Sequence, residues 1–174
     1  MKIISPSIQI LDELNESEVL RKLEMAGRVC YKSEEKISQG SAKKFISNIL
    51  KTGHESVIEH FSFSVKFIID RGVSHEMVRH RIASYSQEST RYCNYSKDGF
   101  GSEITVIKPN FLNEDSAGYN IWKSGCQQAE DNYFKILEWG CRAEEARTLL
   151  PNSLKTEIIM TANLREWRHF LKFS

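Results

Sequence analysis

The chain has 174 residues, about one domain by length. Apolar residues make up 40% of it and charged residues 27%, with nine Phe, six Tyr and three Trp to fill a core, which excludes intrinsic disorder. Lys and Arg number 24 against 23 Asp and Glu, a formal net charge of +1, and so close a balance argues against a protein built to neutralise many phosphates of a nucleic-acid duplex.

Residues 3–11 read as a first strand, with Ile3, Ile4, Ile8 and Ile10 around Pro6. Ser17 is the expected N-cap of a helix to about Cys30, with Val19, Leu20, Leu23 and Ala26 on its apolar face. A second helix is predicted over 41–51, stopping at Gly53. Phe61, Phe63, Val65, Phe67 and Ile69 alternate with mostly polar neighbours and mark the clearest strand. A short helix is predicted from about Ser74 to Arg81, then a loop rich in hydroxyls and aromatics to about Gly101.

Residues 103–108 read as a strand ended by Pro109, and 113–149 as two helices broken near Gly140. A strand over 156–162 follows, with Asn163 capping a last helix through Lys172. Strands interleaved with helices of unequal length predict an α+β fold, one domain over 1–174, without repeats. The four cysteines (Cys30, Cys93, Cys126 and Cys141) are far apart and form no C-x-x-C pair, so they are expected to be reduced and buried. Residues 1–13 do not fit a secretory leader and no apolar run approaches 18 residues, which predicts a cytoplasmic protein without a membrane partner.

The densest chemistry lies between Arg79 and Tyr92, where three arginines, one histidine and four Ser/Thr hydroxyls fall within fourteen residues. Guanidinium forks, short hydroxyl donors and tyrosine faces suit phosphate and planar-ring recognition, although cations at a helix C-terminus would also suit its dipole. On a helical wheel over 73–82, Val73, Met77, Val78 and Ile82 form an apolar arc. Arg81 falls inside that arc, and Arg79 lies nearly opposite. Two anionic partners are therefore expected, or one ligand reaching across a subunit boundary.

His54 and His60 are six residues apart, and His75 and His80 five, neither the spacing of a helical metal pair, so no metal is expected. A polar turn could place His54 and Ser56 beside a ligand, or His54 could be structural. In the last segment Leu164, Trp167 and Leu171 should face the core, while Arg165, His169 and Lys172 share another stripe. Asn163 leaves free backbone donors after it, an anion-binding arrangement, although solvated charge explains the stripe equally. Arg147, just before Leu149-Leu150-Pro151, is a lone cation at a helix end.

Together these residues resemble the flavin-dependent thymidylate synthases. The family signature, Arg-His-Arg, seven residues, then Ser, matches Arg79-His80-Arg81 with Ser89. Further landmarks fit in order: Gly53-His54-Glu55-Ser56-Val57 with Glu59-His60, Arg91-Tyr92, Ala146-Arg147 before Leu150-Pro151, and Asn163-x-Arg165-x-x-x-His169-Phe170. The resemblance implies a homotetramer with a small mixed or antiparallel sheet packed with helices. It also implies FAD, NADPH as reductant, methylene-tetrahydrofolate as one-carbon donor, and conversion of dUMP to dTMP.

By position, the resemblance assigns His54, Ser56, Arg79, His80, Arg81, Gln87, Asn163, Leu164, Arg165 and His169 to the flavin. It assigns Glu76, Met77, Val78, Arg79, Gln87, Glu88, Ser89, Thr90, Arg91 and Arg147 to dUMP. Ser89 reads as a phosphate or substrate ligand and not a nucleophile, because no His/Asp pair is evident around it. Many family members place the acid first where this chain has Gln87-Glu88. The family arginine expected soon after the His-Phe pair is replaced by Ser174, so the catalytic residue is left unassigned and impaired turnover with retained binding is the alternative expectation. A remoter alternative is a single-stranded nucleic-acid binder that stacks bases on Tyr85, Tyr92 and Tyr95 beside Arg79, Arg81 and Arg91, against which the near-zero net charge speaks.

Overall fold

Pro6 has no N–H to donate and splits the first apolar run in two. The computed structural model, which describes residues 1–96 and 101–173, therefore has strands β1 (Lys2–Ile4) and β2 (Ser7–Ile10) where the sequence pattern suggests one. They enter different sheets. β1 pairs in parallel with β5 (Thr105–Ile107), Lys2 opposite Thr105 and Ile4 opposite Ile107. β2 joins β3 (Ser62–Asp70), β4 (Ser84–Gln87) and β6 (Lys155–Asn163) in the order β2-β3-β6-β4. The Ser64 hydroxyl meets that of Thr161 at 2.9 Å and Leu164 N donates to Phe61 O, so β3 and β6 run antiparallel.

Helix α1 (Glu16–Tyr31) is capped by Asn15 and not by Ser17: the Asn15 carboxamide oxygen accepts from Ser17 N and Glu18 N. Helix α2 (Ser41–Lys51) has the expected bounds, and Gly53 beyond it takes φ +74°. Helix α3 (Arg71–Met77) starts where Asp70 accepts from Val73 N at 2.7 Å. Helix α4 (Ala117–Glu138) and the short α5 (Ala143–Ala146) are separated at Gly140, with φ +94°. A 3-10 turn (Arg147–Leu149) follows, and α6 (Leu164–Phe173) ends the described chain, its Glu166 N donating to Asn163 Oδ1 at 2.9 Å as the capping reading predicts. The α+β expectation holds.

Three expectations are corrected. Helix α3 closes at Met77, where Val78 N and Arg79 N bond back to Ser74 O and Glu76 O, so the wheel over 73–82 does not exist. Val73, Val78 and Ile82 are exposed, as is Arg81, and the inferred opposition of Arg79 and Arg81 on one helix fails with it. Part of the expected loop after Arg81 is strand β4, hidden from the pattern because its residues are all polar or tyrosine. Leu171, expected in the core, is 72% exposed.

The described residues form two compact units, each with its own core. Unit 1 comprises residues 1–8, 66–79 and 86–159 and packs around Tyr95, Ile104, Val106, Cys126, Tyr133, Ala146 and Leu154. Unit 2 comprises residues 9–65, 80–85 and those from 160 onward and packs around Leu23, Ile46, Ile49, Val57 and Ile58. Buried Glu24 of unit 2 is satisfied by Arg28 at 2.9 Å and by the Ser41 hydroxyl at 2.8 Å. All four cysteines are free, but Cys30 is exposed, against the expectation of burial. Among the described residues no helix is long and apolar enough to cross a membrane.

A side chain at Gly27 on α1 would meet the Phe45 ring at 2.6 Å and Val57 at 3.2 Å. Gly27→Val is therefore expected to destabilise the protein by about 1–3 kcal/mol through overpacking, read as a lower denaturant midpoint at unchanged m-value.

Candidate functional site

Every residue assigned to the nucleotide substrate by resemblance lies in unit 1. Arg79 and Glu76 pair on the surface at 3.1 Å, a contact that solvent leaves weak. Met77 is 5% exposed and its side chain belongs to the core, whereas Val78 is exposed. Gln87 donates its amide inward, to the Ser74 hydroxyl at 2.8 Å and the Thr156 hydroxyl at 3.2 Å. The Glu88 carboxylate accepts from Lys155 at 3.1 Å and from the Tyr95 hydroxyl at 3.4 Å.

Beyond this anchored pair the chain turns sharply. Ser89 O accepts from Tyr92 N and Cys93 N, and Ser89 Oγ accepts from Arg91 N at 3.3 Å. The turn buries Thr90 and leaves Arg91 exposed, its guanidinium 5.5 Å from the centre of the Tyr92 ring. Arg147 is also exposed and donates Nε to Glu144 O at 3.1 Å.

The flavin-assigned residues lie in unit 2, apart from Arg79 and Gln87. His54 Nδ1 is 2.9 Å from the Tyr31 hydroxyl, at the start of a 3-10 turn (Glu55–His60) that carries exposed Ser56. Trp167 packs α6 onto β3 by stacking on Phe63 at 5.0 Å and donating Nε1 to Phe63 O. That packing leaves Arg165, Arg168, His169 and Lys172 on the outer side of the helix. They line a cavity of about 580 Å³ with Glu55, Glu59, Ile82, Asn163 and Glu166. Arg165 donates to Glu59 at 2.6 Å, and Arg168 lies 3.2 Å from Glu55, both partly exposed pairs.

His80 stands 3.5 Å from the Glu166 carboxylate and edge-on to Phe170 at 5.0 Å, with Tyr85 donating to its carbonyl. Burial and the Glu166 charge push the Tyr85 phenol pKa up. Donor atoms of His80, Glu166 and His169 all lie within 4.8 Å of one another, a set that suits a zinc- or iron-like cation. Comparing histidines only with their sequence neighbours misses this group, because His80 meets α6 across more than eighty residues. Ser174 lies outside the described residues, so the position aligned with the family arginine has no structural account.

Residues that the sequence reading did not single out hold the segment assigned to the substrate by resemblance. Lys155 bridges Glu88 and Glu157, and Glu157 also pairs with Lys66. Burial opposes the Lys155 charge, yet hydrogen bonds from Glu157 and Glu88 raise its pKa overall. The same hydrogen bonds from Lys155 and Lys66 pull Glu157 below its ordinary value. Burial, with the Glu88 charge adding to it, raises the pKa of both the Cys93 thiol and the Tyr95 phenol. The i, i+2 spacing of Lys155 and Glu157 on a strand was the available signal.

Residues 10–174 match the family of thymidylate synthase complementing proteins, and the chain belongs to that family. It is 39% identical over 153 residues to the flavin-dependent thymidylate synthase of Geobacter sulfurreducens, covering 84% of this chain and 64% of that one. It is 39% identical over 140 residues to the flavin-dependent thymidylate synthase of Pyrococcus furiosus, covering 79% of this chain and 56% of that one. The chain thus spans less than two thirds of the length of these relatives. The crystal structure of PolB, a UMP/dUMP methylase from Streptomyces cacaoi bound with 5-Br dUMP, matches with a TM-score of 0.81 over 98% of this chain and 79% of that one. At 23% identity this likeness shows a shared fold.

Because the folded pKa of Glu157 is lowered, its contribution to stability is complete above the ordinary value of 4.5 and is lost as pH falls below it toward the folded value. Glu157→Gln is therefore expected to flatten the fall in denaturation midpoint between neutral pH and pH below 4.5, measured beside the parent protein.

Proposed function

We propose that this chain converts dUMP to dTMP, with FAD as the redox cofactor, methylene-tetrahydrofolate as one-carbon donor and NADPH as reductant. One observation carries the reading: the stretch from Arg79 to Arg91 exposes Arg79 in unit 1, Arg91 on the Ser89 turn of the same unit, and Arg81 in unit 2, the unit of the 580 Å³ cavity. Family membership, the names of the relatives and the ligand of PolB support the same substrate.

The residues of unit 2 fit a flavin dinucleotide. Guanidiniums of Arg165 and Arg168 line the 580 Å³ cavity and are half exposed, so their surface carboxylate partners can be exchanged for a pyrophosphate at little cost. Ile82, 70% exposed at the same cavity, offers an apolar contact for a ring system. His54, Ser56, His80, Arg81, Asn163, Leu164 and His169 complete the proposed holding set. When bound, the flavin supplies the hydride chemistry that no protein side chain can.

The remaining work falls to the protein. Ser89 and Arg91 hold the nucleotide phosphate by a hydroxyl and a charged fork, with Arg79 and Arg147 as further cations. Preorganised donors of this kind orient the pyrimidine and stabilise negative charge developing on it. Self-association as a homotetramer belongs to the same proposal and is supported by the exposed Ile82 and Leu171 of unit 2.

Reconstitution with FAD is expected to give a yellow protein whose reduced flavin reoxidises in a dUMP-dependent way when the folate is present. A preparation that stays colourless and forms no dTMP sinks the proposal. Arg91→Ala is expected to weaken dUMP binding about tenfold or more by calorimetry, the scale of a lost charge-assisted hydrogen bond. Arg81→Ala should lower flavin occupancy and leave dUMP affinity largely intact.

A further inference from the structure

We infer that Lys155 and Glu88 form a positioning pair for the substrate site: Lys155 cancels the Glu88 charge and fixes the backbone from which the Ser89–Arg91 turn presents a phosphate grip. The inference rests on the phosphate role of Ser89 and Arg91 proposed above.

By sequence Glu88 is a ligand candidate, directly beside Ser89. Its side chain is only 14% exposed, and its carboxylate is taken by Lys155 at 3.1 Å and Tyr95 at 3.4 Å. Its backbone is held at both ends: Glu88 N donates to Glu157 O at 2.9 Å, and Arg71 Nη1 reaches Glu88 O at 3.4 Å. Glu88 also lines a cavity of about 250 Å³ with Lys2, Tyr95, Glu103, Thr105 and Lys155, and no other substrate-assigned residue lines that cavity.

The anchoring alternates along β6. Thr156 is fully buried and takes the amide of Gln87, while its neighbours Lys155 and Glu157 face the other way and hold Glu88. Residues 87 and 88 are thus fastened to opposite faces of one strand, so the turn that follows starts from a fixed point. Lys66, Glu157, Lys155 and Glu88 alternate in sign and sum to zero charge. Without Lys155, a poorly solvated carboxylate would sit one residue from a site built for a phosphate dianion and repel it.

Calorimetric binding of dUMP and of deoxyuridine, which lacks the phosphate, to the full chain tests this inference. Lys155→Met is expected to weaken dUMP binding about tenfold or more and deoxyuridine binding by less than about twofold. Glu88→Gln keeps the acceptor and removes the charge, so dUMP should bind as tightly as to the parent or more tightly. The neutral double variant Glu88→Gln/Lys155→Met should recover dUMP affinity to within about threefold of the parent, and it carries the test if the single lysine variant does not fold.

Equal losses for both ligands in the lysine and double variants would mean a purely structural role and overturn the inference. A tenfold loss of both ligands in Glu88→Gln would make Glu88 a direct ligand and overturn it too. If the parent fails to bind dUMP, or Arg91→Ala leaves dUMP affinity unchanged, the phosphate reading itself falls. The binding data for the lysine variant then have no bearing on that failure, which separates the two.

Discussion

The hydrogen bond from Glu88 N to Glu157 O fixes the point from which the turn carrying Ser89 and Arg91 departs. The phosphate grip proposed for Ser89 and Arg91 depends on residues 87 and 88 holding register against β6, because Gln87 bonds to Thr156 and Glu88 to Lys155 and Glu157 just before the turn. β6 suits the task because its burial alternates strictly: Thr156, Ile158, Met160 and Ala162 are buried, and Lys155, Glu157, Ile159 and Thr161 are partly open. A slip of one residue would send every polar side chain to the apolar face, so the register is strongly specified. The same strand ends at Asn163, which caps α6 and so sets the start of the helix that lines the unit 2 cavity.

Two kinds of ion pair serve different purposes. Arg79–Glu76 and Arg165–Glu59 are open to water and hold weakly, so an anionic ligand can displace the carboxylate. Glu24 with Arg28 and Glu88 with Lys155 are withdrawn from water on the acid side. Removing the cation from either would leave a poorly solvated carboxylate with only a neutral hydroxyl, that of Ser41 or Tyr95, to satisfy it. The exchangeable pairs thus lie at arginines proposed to meet ligands.

Much of this was legible in the residues themselves. The alternation of Phe61 to Ile69 and the apolar spacing of Phe45, Ile46, Ile49 and Leu50 mark β3 and α2 because periodicity reports a single buried face. Asn163 as a cap and Gly140 as a break follow from local backbone chemistry. The short helix after Asp70 was overextended because Val78 and Ile82 continue its apolar period, yet both are exposed. β4 carries no apolar alternation, so only its neighbours in the sheet define it. At the site, the family motif names candidate residues but not the contacts each one makes. That Gln87 and Glu88 turn toward Thr156 and Lys155 is a contact across nearly seventy residues, which local pattern cannot encode.

The pairing of β1 with β5 has a bearing on how the protein comes into being. Lys2 finds its partner in Thr105, so this ladder closes only when segments roughly a hundred residues apart along the chain meet. Closing so long a loop has an entropic cost that only a preformed surface can offset, and helices α4 and α5, whose contacts are local, can supply one early. The β1–β5 ladder thus leans on helices that can form before it.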